Sequence, residues 1–303
     1  MRLLVRLLFA ALLLWVAVNA LLGFLLPDHL LQGPMPSRSE ADRARIRAEL
    51  APPSTAWTCQ EIAGGEGRPL QLWWLHRPRS KGVALILHGF GDDAWGTAPR
   101  LRDLPDLDAV VFTLRGRDLH PEVPSTLGAW EAVDIANAVA FLETSGVPRR
   151  RIVLATVSQS AGASLLALRR LEAAGGPLGG ALLESPWMDL RDAARNHLKG
   201  PIGGFAEFLL RPAEELALRR AGRIAGFRVD HVSPLSAAKD LRTPIALLAG
   251  DADSVTPLAG VKAIAVHHPD LTIATGAGHC ESGARLPGGW KAWAEPRLRA
   301  WGF

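Results

Sequence analysis

The chain has 303 residues, 48% of them apolar and 21% charged, which supplies the core of one large α/β domain or of two small ones and excludes a disordered chain. Its net charge of +4 comes mostly from scattered arginines, with short clusters at Arg149-Arg150-Arg151 and Arg219-Arg220; without a basic helix, an aromatic-interleaved patch or zinc spacing, nucleic acid is excluded as an expected partner. The two cysteines, Cys59 and Cys280, leave no CxxC pattern for a metal or redox centre, and spacing alone does not decide whether they pair.

From Leu3 to Leu26 the sequence is apolar apart from Arg6, Asn19 and Gly23. As a helix rising 1.5 Å per residue it matches a hydrocarbon layer of about 30 Å. Arg2 and Arg6 make its start positive, and Val18-Asn19-Ala20 has the small residues of a cleavage site, so a signal peptide and an uncleaved anchor compete; a buried core helix is the third and weaker reading, because nothing polar marks a solvent face. The apolar run continues beyond Ala20 through Leu21, Leu22, Phe24, Leu25 and Leu26, which favours a transmembrane signal-anchor over residues 1–27. The two arginines hold its start in the cytoplasm and send the rest outward, to the periplasmic or extracellular side, or into secretion if the segment is cleaved. Residues 28–56 are expected to form a stalk, with a helix over Ser37 to Leu50 ended by Ala51-Pro52-Pro53.

Strands are predicted at Trp57 to Ile62 and Leu70 to Leu75, then at Val83 to Leu87 and Ala109 to Leu114. Apolar residues at helical spacing mark Ala129 to Leu142. Beyond it come strand Ile152 to Val157, helix Ala161 to Leu171, and strands Gly180 to Leu183 and Ile245 to Ala249. Helix Leu258 to Val266, strand Leu271 to Ala274 and a closing helix Gly289 to Ala300 complete the order. Alternation at this spacing predicts a mostly parallel central sheet with helices on both faces. Asp189 to Asp240 interrupts it with helical pieces such as Phe205 to Ala217, so residues 57–303 read as one domain with a small helical cap at about 189–240. Phe205, Phe208, Leu209 and Leu210 are placed there either against the body or facing a substrate cleft.

Four loops carry chemistry. Val157-Ser158-Gln159-Ser160-Ala161-Gly162 joins a predicted strand to a predicted helix, the setting that exposes a nucleophilic serine on a sharp turn. With small residues two before and two after, Ser160 is the expected nucleophile. His88-Gly89-Phe90-Gly91 follows an early strand. Such a loop supplies one oxyanion donor and the residue after the nucleophile the other, which points to the backbone N–H groups of Phe90 and Ala161; His88 is read as a structural residue of the turn. Gly250-Asp251-Ala252-Asp253 follows a late strand and offers a carboxylate to orient a base, with Asp253 preferred to Asp251. Gly276-Ala277-Gly278-His279 follows the last strand and offers His279 as that base; His267 and His268 read as surface residues near a helix end.

In order and spacing these loops resemble the α/β-hydrolase superfamily. The resemblance covers the chain from about Trp57 onward and is greatest to the branch with an HGxG loop and a small helical cap, which includes bacterial esterases and the serine-aminopeptidase-like lysophospholipases. Thr113-Leu114-Arg115-Gly116-Arg117-Asp118 resembles that family's D-x-R-G-x-G, with Thr113 and Asp118 in place of its Asp and final Gly. Glu184-Ser185-Pro186-Trp187 resembles the loop after its sixth strand, which implies for Trp187 either a place bordering the acyl or leaving-group pocket or a place in the core; Gly91 and Phe208 are the other expected pocket residues. The resemblance implies a serine esterase with the order Ser160, Asp253, His279, acting on a small-molecule acyl ester without metal or organic cofactor. A peptidase or amidase with the same triad, and a membrane-tethered binding protein of the same fold, are the alternatives.

Overall fold

A computed structural model of the chain describes residues 1–32, 38–51, 55–116 and 123–303. In chain order its elements are α1 (Arg2–Gln32), α2 (Glu40–Leu50), β1 (Trp57–Ala63), β2 (Pro69–Leu75), β3 (Val83–Leu87), α3 (Ala94–Thr97) and β4 (Asp108–Phe112). Then follow α4 (Glu131–Thr144), β5 (Ile152–Val157), α5 (Gln159–Gly175), β6 (Gly180–Glu184), α6 (Leu190–Ile202), α7 (Gly204–Ile224) and α8 (Pro234–Ala238). The last are β7 (Ile245–Gly250), α9 (Leu258–Ala265), β8 (Leu271–Ala274), α10 (Ser282–Arg285) and α11 (Gly289–Ala300).

The strands form one sheet in the order β1-β2-β4-β3-β5-β6-β7-β8. The first two pairings, β1 with β2 and β2 with β4, are antiparallel, and the rest are parallel. Both faces of the parallel part are covered, so its strands read as continuous apolar runs rather than alternating ones. The period of two is still visible in where the side chains go. On β3, Val83, Leu85 and Leu87 pack with α4 and α5, whereas Ala84 and Ile86 join α11 and the Trp95 region on the other face.

The cap consists of α6, α7 and α8 inserted between β6 and β7. The Thr113–Asp118 motif lies partly outside the described residues, but Arg115 is defined. It is buried and paired with buried Asp134 of α4, Nε to Oδ2 at 3.0 Å, and it donates to the Gly65 carbonyl at 3.1 Å. Asp134 also accepts the Gly65 N–H at 2.6 Å, so this pair ties the β1–β2 connection to α4.

Two expectations need correction. Helix α1 does not end near residue 27 in a stalk; it runs to Gln32 and packs along α7. His268 is buried, with Nε2 2.9 Å from the Ala238 carbonyl, because α8 closes over the end of α9. The described part of the proline break after α2 is Ala51 alone; Pro52 and Pro53 lie outside the described residues. Cys59 and Cys280 are both exposed and unpaired.

Candidate active site

Strand β5 ends at Val157 and α5 begins at Gln159, so one residue makes the whole turn between them. That residue is Ser158, and it holds φ 54° and ψ −115°, a conformation that L side chains rarely adopt and that persists only where the surroundings enforce it. Its N–H donates to the Glu184 carbonyl at 2.9 Å, and its carbonyl accepts the first helical bond from Gly162 at 3.1 Å. The strained backbone projects Oγ toward the last loop of the sheet, where it lies 2.8 Å from His279 Nε2.

Ser160, the expected nucleophile, sits elsewhere. It is wholly buried, its Oγ 3.0 Å from the Leu87 carbonyl and 2.9 Å from that of Val157, and it accepts the Val157 N–H at 3.1 Å. It therefore stitches α5 to β3 and β5 beneath the site. Gly162, which made the register around Ser160 attractive, has another use: a Cβ there would come within 2.2 Å of Trp187 Nε1. The glycine lets an indole pack against the helix.

His279 and Asp253 meet as expected, Nδ1 to Oδ2 at 2.9 Å. Asp253 is held in turn by the N–H groups of Val255 and Thr256, at 2.9 and 2.8 Å, and by the Thr256 hydroxyl at 2.7 Å. Burial would raise the Asp253 pKa, but the His279 bond and these donors outweigh it and hold the carboxyl below its ordinary value. For His279, burial lowers the pKa; hydrogen bonds and charge from Asp253 and the neighbouring Cys280 overcome it and push it up to about 10. Asp251, the rival carboxylate, is exposed and accepts the Gly276 N–H at 2.6 Å.

Gln159 follows Ser158, and its N–H is the first of α5, for which no intrahelical carbonyl exists. The positive end of the 17-residue helix therefore stands beside Ser158 Oγ. Ala161, expected as a donor, is packed in the core as the third residue of α5, because the strand-to-helix turn lies three residues earlier, at Ser158. Phe90 flanks the same space from the loop after β3. His88 fixes that loop: Nε2 accepts the Leu114 N–H at 2.8 Å, which leaves the proton on Nδ1, 2.7 Å from the Gly89 carbonyl.

In front of Ser158 lies a cavity walled almost entirely by apolar groups, among them Phe90, Leu127, Trp187 and Leu190. Trp187 is also bonded through Nε1 to the Gln159 carbonyl at 3.3 Å. Gly91 does not reach this wall; it turns the loop at φ 82°. Phe208 faces away, 58% exposed on α7, with the Arg211 guanidinium 5.1 Å over its ring. The sequence reading missed the walls that α1 supplies, Leu26 and Leu30. It also passed over Ser158, although a strand ending at Val157 leaves that residue as the strand-to-helix junction.

No family model and no curated protein matches the sequence. Solved structures do match in fold. An esterase of Pyrococcus furiosus is similar with a TM-score of 0.66 at 17% identity, over 89% of this chain and 98% of that one. An esterase/lipase from an uncultured bacterium is similar at 0.58 and 18%, over 95% and 98%. A puromycin-hydrolysing peptidase of Mycobacterium tuberculosis is similar at 0.55 and 17%, over 82% of this chain and 39% of that one. The chain thus has the α/β-hydrolase fold, shared by esterases and serine peptidases.

Proposed function

We propose that the protein is a serine hydrolase in which Ser158, not Ser160, is the nucleophile. The observation that carries this reading is the line Ser158 Oγ, His279 Nε2, Nδ1, Asp253 Oδ2, with contacts of 2.8 and 2.9 Å, built on the strained turn that ends β5. His279 takes the hydroxyl proton as Ser158 attacks the acyl carbonyl, and Asp253 holds the ring and stabilises the imidazolium. The tetrahedral oxyanion falls to the backbone N–H groups of Gln159 and Phe90. His279 then protonates the leaving group, and water, activated by the same ring, attacks the acyl-enzyme and releases the acid.

The substrate we infer is a carboxylic ester with an apolar acyl part, because the cavity next to Ser158 offers apolar walls. Helix α1, the one described helix long and apolar enough to cross a membrane, is read as a membrane anchor, which sets the catalytic domain outside the cytoplasm.

The test uses the full chain in detergent with a fluorophosphonate probe, beside Ser158→Ala and Ser160→Ala, with thermal melting as the control for folding. Labelling is expected to vanish in Ser158→Ala and survive in folded Ser160→Ala. The reverse pattern, or a folded wild type that takes no label, would sink the assignment. Parallel assays on carboxylic esters and aminoacyl amides separate esterase from peptidase.

A further inference from the structure

Helix α1 is seated on the cap like a core element. Its buried residues are Asn19, Gly23, Pro27 and Leu31, each four apart, so they form one stripe along the helix. The stripe follows α7, and the two helices run in the same direction: Trp15 and Asn19 meet Leu209 and Ala213, Gly23 meets Leu216, and Leu31 meets Ala221 and Ala225. A Cβ on Gly23 would lie 2.6 Å from Leu216 Cδ2, so the glycine permits this close approach.

Asn19 is the only strongly polar residue between Arg6 and Asp28. Its partners lie beside Pro212, which removes a donor from α7 and crowds the preceding turn. Asn19 Nδ2 donates to the Leu209 carbonyl at 3.3 Å, its Oδ1 accepts the Ala213 N–H at 3.0 Å, and Trp15 Nε1 adds a bond to Leu209 at 2.9 Å. The residue that made Val18-Asn19-Ala20 resemble a cleavage site thus supports the cap helix.

The far end of α1 reaches the active site. Leu26 and Leu30 line the cavity in front of Ser158, and Leu30 packs with Leu127, Trp187 and Leu190. The Leu31 carbonyl accepts the Ser125 N–H at 2.8 Å, and the Ser125 hydroxyl is 3.0 Å from Gln159 Nε2. Two hydrogen-bonded steps therefore connect α1 to the residue after the nucleophile.

Resting on the serine-hydrolase reading, we propose that α1 is retained in the working protein and that Leu26 and Leu30 wall the acyl pocket, where they set the length of chain accepted. The helix is both tether and binding surface. Cleavage after Ala20 would remove Trp15 and Asn19 from α7.

The full chain, tagged at its C-terminus, is purified from membranes in detergent and its intact mass measured. The expected species is the complete 32.5 kDa chain plus the tag; a mature chain starting at Leu21 would overturn retention. Leu30→Trp and Leu30→Ala are then assayed on nitrophenyl esters from acetyl to dodecanoyl, with the rate of fluorophosphonate labelling as the control for an intact triad. Leu30→Trp is expected to lower the ratio of kcat/KM on the longest esters to that on acetyl by roughly tenfold or more, and Leu30→Ala to move its optimum toward longer chains. Unchanged profiles in both labelled variants overturn the pocket-wall assignment alone. A wild type that neither labels nor hydrolyses esters overturns the catalytic reading, and the wall assignment with it, while the mass still decides retention.

Discussion

At Ser158 the backbone and the side chain point to the same role. A non-glycine residue at φ 54° is costly, by about 1–3 kcal/mol, and here the cost coincides with a hydroxyl aimed at a half-buried histidine backed by a buried aspartate. Ser160 has an unstrained helical position and a hydroxyl satisfied by main-chain groups. Replacing Ser160 by alanine is therefore expected to lower stability by about 1 kcal/mol through the lost hydrogen bonds, with kcat changed little; denaturant melts and ester kinetics check both. The pH dependence follows from the raised pKa of His279. In the proposed mechanism the neutral ring is the reactive form, so kcat/KM is expected to rise with pH along a limb lying above the ordinary histidine value near 6.5. Asp253→Asn removes the charge that holds this limb up, so the limb shifts to lower pH while the maximal rate falls by about 10³–10⁴. For stability the sign is opposite to activity. The His279 contribution is complete below pH 6.5 and is lost as pH climbs through the folded value of about 10. That of Asp253, whose pKa is depressed, is present above its unfolded value and lost in acid.

At the scale of elements, close approach sets the site. Helix α5 lies against Trp187 because Gly162 has no side chain. Gly162→Ala is expected to displace the indole from the pocket wall, costing about 1–3 kcal/mol by overpacking and raising KM for long-chain esters more than it lowers kcat. A denaturant titration and a comparison of acetyl with long-chain esters check this. The Arg115–Asp134 pair is a second joint, linking α4 to the β1–β2 connection through buried charges. Asp134→Ala leaves the guanidinium buried without its main partner, a loss of about 3–5 kcal/mol; thermal melting reads it, and the labelling rate of the fraction still folded should stay near that of the wild type.

Over the whole molecule, the half of α1 before Asn19 is apolar and exposed from Leu3 to Val18, while the half after it joins the cap. An uncovered apolar rod of that length is unfavourable in water. The full chain is expected to sediment with membranes, to stay there after high-salt and alkaline washes, and to leave only with detergent. Release by salt would count against the anchor.

The chain's own pattern determined the order of strands and helices, because each parallel strand is an apolar run and each loop between them carries its own turn signals. It also pointed to His279 and to Asp253, preferred there over Asp251 two residues away, and the fold brings those two side chains together at 2.9 Å. Three serines within seven residues gave no such separation. The proposal of Ser158 rests on where β5 stops and on its positive φ, which depend on packing against β3, β6 and Trp187 rather than on local composition. The same holds for α1. Its hydropathy was plain in the sequence, but its place beside the active site rests on Asn19 meeting the proline turn of a helix some 190 residues later, a long-range contact that only the tertiary structure could decide.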